Sequence, residues 1–281
     1  MWMVLGSLFL AMSPLKDDAA KALESAPLFA VGDARIAGGR IKPGRATYYV
    51  RVKNPAGSWV GQGTITETAK SIEVEGQAAI CREQVRLQPD WKRVIHTAVF
   101  ANKDLTPFST RRRMDDTSQY PVGAEIAFDL NYKGKLLAGS HQAKGGEKGP
   151  VEAIDMGMAM FEGDVLGLLL AALPLREGFL AKLPVMYSQQ RAPYWVVARV
   201  VGRKTFTTGT GTSVNAWAVE TDWHDMKTGD VYPGKGSGGT YYVVPDPPAG
   251  YPNVPKYIND SFDSEVIPQL LAQPGELRGG S

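Results

Sequence analysis

The run from Tyr194 to Trp223 constrains the fold more tightly than any other part of the chain. Tyr194 to Val201 is a nearly continuous series of aromatic and β-branched residues. Gly209 and Gly211 then punctuate a polar turn, and Val214 to Thr221 alternates apolar with small or polar side chains. This is the pattern of two half-buried strands and their connection. It sets a fold class and declares no reaction.

Upstream, the same signals recur. Ala46 to Val52, Trp59 to Thr66, Ile72 to Ile80 and Arg93 to Phe100 each carry β-branched or aromatic residues, with turns such as Asn54-Pro55-Ala56-Gly57 between them. Phe108 to Met114, Glu125 to Leu130 and Leu136 to His141 continue the series, and Gln142 to Pro150 reads as a Gly- and Lys-rich loop. Strands this closely spaced, with no helices between them, imply antiparallel pairing. The expected fold is mainly β, a strongly curved antiparallel sheet or partly open β-barrel. At 281 residues the chain can bury a substantial core.

Val151 to Leu173 departs from this pattern. Met156, Met160, Asp164, Leu168 and Ala172 recur at helical spacing, Leu166 to Leu173 is apolar on every side, and Pro174 ends the run. The expectation is one buried apolar helix, or two broken at Gly163, packed on the concave face of the sheet. Such a helix either plugs the concavity or lines a cavity with adaptable Met and Leu side chains.

Residues 2–15 form an apolar run too short to span a bilayer, as in a signal peptide, although no Lys or Arg precedes it. The division expected is residues 1–22 as a signal peptide or N-terminal apolar segment, and residues 23–281 as a single β-rich domain with a Pro/Gly-rich C-terminal extension. Export is the expectation, with the periplasm or cell envelope as the setting, and the processed chain is not expected to be an integral membrane protein. Cys81, the only cysteine, lies far from this segment, which disfavours a lipoprotein signal; within Ala78 to Cys81 it reads as a small buried side chain.

The charge and histidine content narrow the chemistry. A net charge of +2 gives no broad attraction to nucleic acid. With three histidines and no HxH, HExxH or Cys/His cluster, neither a metal nor a cofactor is expected. Asp222 and His224 would share one face of a strand, as a base and its orienting carboxylate must; the alternative is a solvated strand end. Arg111 and Arg113 are either solvated edge charges or a clamp for an anionic head group at a pocket mouth. The Gly-rich stretch 234–239 lacks the order of a phosphate-binding loop, and Asp263 to Leu271 suits a short closing helix.

Several of these features together resemble one family. Strand hairpins lead to an apolar helix ending in Leu173-Pro174-Leu175, with Gly178 beyond it. Leu183-Pro184-Val185, the strand Trp195 to Val201, Gly202-Arg203, Gly211-Thr212 and Trp217 to Val219 follow. Upstream, Asp104-Leu105-Thr106-Pro107 precedes the basic run Arg111-Arg112-Arg113. This order is similar to the DUF3108 family of exported bacterial proteins, over roughly Thr47 to Val244. The resemblance implies an envelope protein with a curved antiparallel fold and supplies no catalytic residues.

The functional expectation is a binding protein for an apolar or lipid-like small molecule, with Met156, Met160, Leu168, Trp195, Trp217, Arg111 and Arg113 as candidate ligand contacts. Two alternatives stand beside it: an enzyme using Asp222 and His224 in the same cavity, and an interaction module docking on an envelope protein partner.

Overall fold

A computed structural model describes residues 14–87, 93–118, 120–207, 211–231 and 238–267. One sheet of fifteen strands organises them. Its first half is a meander: β1 (Gly44–Lys53), β2 (Trp59–Val74), β3 (Gln77–Leu87), β4 (Arg93–Ala101), β5 (Pro107–Met114), β6 (Glu125–Lys133), β7 (Leu136–Ala143) and β8 (Lys148–Asp155) each pair with the next. The second half begins with β9 (Phe161–Glu162). It then runs through β10 (Leu180–Tyr187), β11 (Ala192–Thr207), β12 (Ser213–Asp225), β13 (Gly238–Val243), β14 (Lys256–Ile258) and β15 (Phe262–Val266). The last strand pairs with the first, Tyr48 opposite Val266 and Val52 opposite Phe262, so the two halves join at β1 and β15. All pairings are antiparallel except β9 with β10.

The sheet curls without closing into a barrel. Its hydrogen-bonded order ends at β8 on one side and β9 on the other. The β9 edge meets the first half through side chains instead. Tyr132 on β6 donates a hydrogen bond to Glu162 on β9 at 2.7 Å, and Arg191 pairs with Glu125 at the start of β6. Beyond this seam, β8 alternates part-buried and exposed positions and forms an open edge.

The central hairpin read from Tyr194 to Trp223 is β11 and β12, both longer than the apolar runs alone indicate, with Val196 opposite Trp223 and Ala198 opposite Thr221. Three expectations are corrected. Ile72 to Ile80 is the end of β2, a turn and the start of β3. Glu75 and Gly76 both take left-handed backbone angles (φ 50° and 78°), the two-residue turn whose twist matches a hairpin, and only the glycine advertises it. Gln142 to Pro150 is the β7–β8 hairpin. Asp263 belongs to β15, not to a helix, and residues 268–281 lie outside the described residues.

The apolar segment before Pro174 is also shorter as a helix than its spacing predicts. Val151 to Asp155 falls in β8, and Met156 and Met160 lie in the link to β9. A 3-10 turn then covers Gly163–Val165, begun by the Glu162 carboxylate accepting from the Asp164 amide at 3.1 Å. Two α-helices are described: α1 (Pro14–Ser25), and α2 (Leu166–Ala172), which continues the 3-10 turn. Leu173, held extended by the proline after it, ends α2. Leu166, Leu169, Leu170, Ala171 and Ala172 are buried in the main core with Phe100, Phe161, Leu183, Val196 and Val219. α2 therefore fills most of the concavity it sits in. The segment after α1 is tied to the sheet by hydrogen bonds between Phe29 and Lys182 and between Lys182 and Pro27.

Candidate functional site

Alternation along paired strands determines which side chains look inward. Across β15, β1, β2 and β3, the register aligns Ser264 with Val50 and Phe262 with Val52, Tyr48 with Ile65, Ile65 with Arg86, and Glu67 with Gln84. Since side chains two apart share a face, Arg82, Gln84 and Arg86 all project from β3 to the same side. On the opposite wall, Tyr194, Trp223 and Tyr241 come from β11, β12 and β13.

Between these walls lies a cavity of about 330 Å³. Gly163, Asp164, Val165, Gly167 and Leu168 form one side of it, so the 3-10 turn and the start of α2 are its floor. Helix α2 thus both fills and lines the concavity. A side chain at Gly167 would press on Val254 and Tyr241 at 3.3–3.4 Å, which is why the helix can lie so close to the strands there. The lining is mixed: aromatic rings of Tyr48, Tyr187, Trp223, Tyr241, Tyr257 and Phe262 alternate with Glu67, Arg82, Arg86 and Asp164. Burial holds the Tyr48 and Tyr241 phenols neutral, well above their ordinary pKa.

The charged groups are unequally satisfied. Arg82 donates to one oxygen of Glu67 from Nε at 2.8 Å and from Nη2 at 2.5 Å. Burial pulls its pKa down, but the attraction and hydrogen bonds of Glu67 outweigh that and leave it raised. Its Nη1 is buried with no hydrogen-bond partner. Arg86 has no ion pair or side-chain hydrogen bond among the described residues; its guanidinium lies 5.6 Å from the Phe262 ring centroid, and burial lowers its pKa. Asp164 is the better served of the two cavity carboxylates: Gln189 donates to it at 3.0 Å, and His96 Nε2 lies 3.2 Å away.

Behind Asp164, a buried polar seam joins the β9 end of the curl to the first meander. Glu162 receives Tyr132 at 2.7 Å, Ser188 at 3.0 Å and the Asp164 amide at 3.1 Å. His96 also lies 2.9 Å from Thr110, and burial depresses its pKa, so the ring stays neutral despite Asp164. Burial, reinforced by the charge on Asp164, raises the Glu162 pKa from 4.5 to about 7. A carboxyl that binds its proton more tightly when folded adds stability that is present below pH 4.5 and is lost as pH rises through about 7. The loss amounts to on the order of 3 kcal/mol over that window. Glu162→Gln, which keeps the acceptor and stays neutral, is expected to flatten this part of the stability profile. Urea midpoints from pH 4.5 to 8 measure it, and an unchanged slope would assign the pH dependence elsewhere.

The residues singled out from the sequence are scattered by comparison. Leu168 lines the cavity. Met156 and Met160 do not: they pack with Phe128, Leu130, Leu137 and Met186 in a separate core beside the seam. Arg111 and Arg113 are exposed on the other face of β5, Arg111 pairing with Asp129 at 2.9 Å. It is Arg112, opposite buried His96 and Phe128, that points inward. Trp217 packs against the main core under Arg203, and Trp195 lies across the sheet from Pro184 and His224; neither lines the cavity. Asp222 and His224 do share a face, opposite to that of Trp223. Asp222 pairs with Arg199 at 3.3 Å, whereas His224 is fully buried with Nδ1 3.0 Å from the Gly229 carbonyl. They do not form an acid/base pair in the cavity. Among the described residues, no cluster of metal-ligating side chains occurs, and no helix is long and apolar enough to cross a membrane.

The one signal that could have located the site is Arg82-x-Gln84-x-Arg86. Three polar residues on one face of a strand are unremarkable on an outer surface. On an inner face they require a cavity, and the parity becomes known only once β3 is paired.

A family model described as a protein of unknown function (DUF3108) matches residues 45–264. No curated protein and no solved structure matches. The match spans β1 to β15 and every strand that lines the cavity, and the chain belongs to that family.

Proposed function

We propose that this member of the DUF3108 family is a binding protein of the bacterial cell envelope that holds a lipid-like small molecule in the hollow of its curled sheet. The observation that carries this reading is the cavity itself. A curled sheet with a helix packed inside it could have been filled solid, as it is around Leu169 and Leu170. At Gly167 and Leu168 the packing stops, and aromatic rings from seven strands surround about 330 Å³ of space. That volume is in the range of small-molecule pockets, and aromatic walls with a few polar groups are their usual lining. The apolar run at residues 2–15 supports export, which would place the protein among the lipids of the envelope.

Native mass spectrometry of the gently purified protein, followed by organic extraction, tests the proposal. The expected result is a stoichiometric adduct that extraction releases, or uptake of an added fatty acid by the empty protein. A clean mass with no uptake would rule out the ligand and turn attention to a protein partner.

A further inference from the structure

The cavity is too polar for a plain hydrocarbon, and among the described residues its charged groups with unmet hydrogen-bonding capacity are both positive. Arg82 keeps Nη1 buried and without a partner although its other nitrogens are bound to Glu67. Arg86, four residues along the same strand and on the same face, makes no ion pair or side-chain hydrogen bond among the described residues. By contrast, the Asp164 oxygens are engaged by Gln189, Ser188 and His96, and Glu67 is held by Arg82. Arg112, opposite His96 on β4 and Phe128 on β6, adds a further positive charge on the inner side of β5. Leaving guanidinium donors unsatisfied in a partly desolvated site is costly, and buried charges are ordinarily paired.

We infer that the ligand carries an anionic head group, a carboxylate or a phosphate, which completes the donor set of Arg82 and Arg86 while its apolar body lies along Tyr187, Trp223 and Tyr241. This rests on the reading of the cavity as a lipid-like site and specifies its chemistry. Planar guanidinium forks suit both oxyanions, and charge-assisted hydrogen bonds in such a site discriminate strongly against a neutral hydroxyl.

The inference is tested with compounds sharing one chain, dodecanoate, dodecyl phosphate and dodecanol, together with inorganic phosphate, by titration of the full-length protein. Either dodecyl anion is expected to bind at least tenfold more tightly than dodecanol. Arg86→Met is expected to abolish that preference while dodecanol binding is retained. Because Arg86 has no ion pair or side-chain hydrogen bond to lose among the described residues, the variant should unfold at the same urea concentration as the parent or a higher one. This distinguishes lost recognition from lost folding.

Equal binding of dodecanol and the anions in the parent protein would overturn the head-group inference and leave the apolar cavity standing. So would an Arg86→Met protein that keeps the full preference. Failure of every dodecyl compound to bind would overturn the ligand reading itself. Inorganic phosphate binding as tightly as dodecyl phosphate would uphold the anion site and overturn the lipid-like body.

Discussion

Replacing Glu67 with leucine is expected to destabilise the protein by about 3–5 kcal/mol, seen as a drop in the urea midpoint at pH 7. The size follows from what is left behind. Arg82 is buried, Glu67 supplies its only described ion pair, and Nη1 already lacks a partner. Removing the carboxylate leaves a full charge in a low-dielectric wall, the costly half of breaking a buried pair. The double variant Glu67→Leu with Arg82→Met is expected to recover most of the loss, because both charges leave together and apolar side chains of similar length replace them. A single variant as stable as the parent would mean that water reaches the Arg82 guanidinium freely.

Leu169→Ala is the second large effect, expected at about 2–5 kcal/mol from the lost burial and the void left behind. Leu169 is fully buried on the core side of α2, and the helix cannot follow a smaller side chain inward. It is fixed behind by the 3-10 turn on Glu162 and ahead by Pro174, and Gly167 already rests against Tyr241 and Val254. Because the same short helix floors the cavity, loosening it should weaken ligand uptake as well as lowering the urea midpoint. A loss of stability below about 1 kcal/mol would show that the core around α2 collapses readily.

The strands were legible because β-branched alternation and turn residues are local signals, and the helix was legible where Leu166 to Ala172 is apolar all round. The parity of a strand is a different matter. Arg111, Arg112 and Arg113 alternate across β5 whichever way it faces; the choice is made by His96 and Phe128 on the neighbouring strands, which put Arg112 inside. Met156 and Met160 lie one helical turn apart in sequence, yet the chain there is crossing from one edge of the sheet to the other. Their spacing is a coincidence that only pairing partners expose. Arg82 and Arg86 are not legible as a site for the same reason: nothing in the local sequence distinguishes an inward arginine from an outward one. Asp222 and His224 share a face as alternation requires, but it is the face away from the cavity.

The meeting of β1 with β15 sets the order in which the fold can be completed. Tyr48 must wait for Val266, so β1 emerges from synthesis long before its partner exists. Until then the first meander carries an unprotected edge, with Tyr49 exposed beside it, of the kind that recruits strands from other chains. Within each meander the pairings are between neighbours and should form quickly, while this single long-range closure should be slow. A chain stopped before Phe262 would therefore retain most of its local pairings and yet be prone to aggregate. The few residues of β15 act as the fastener that takes this edge out of circulation.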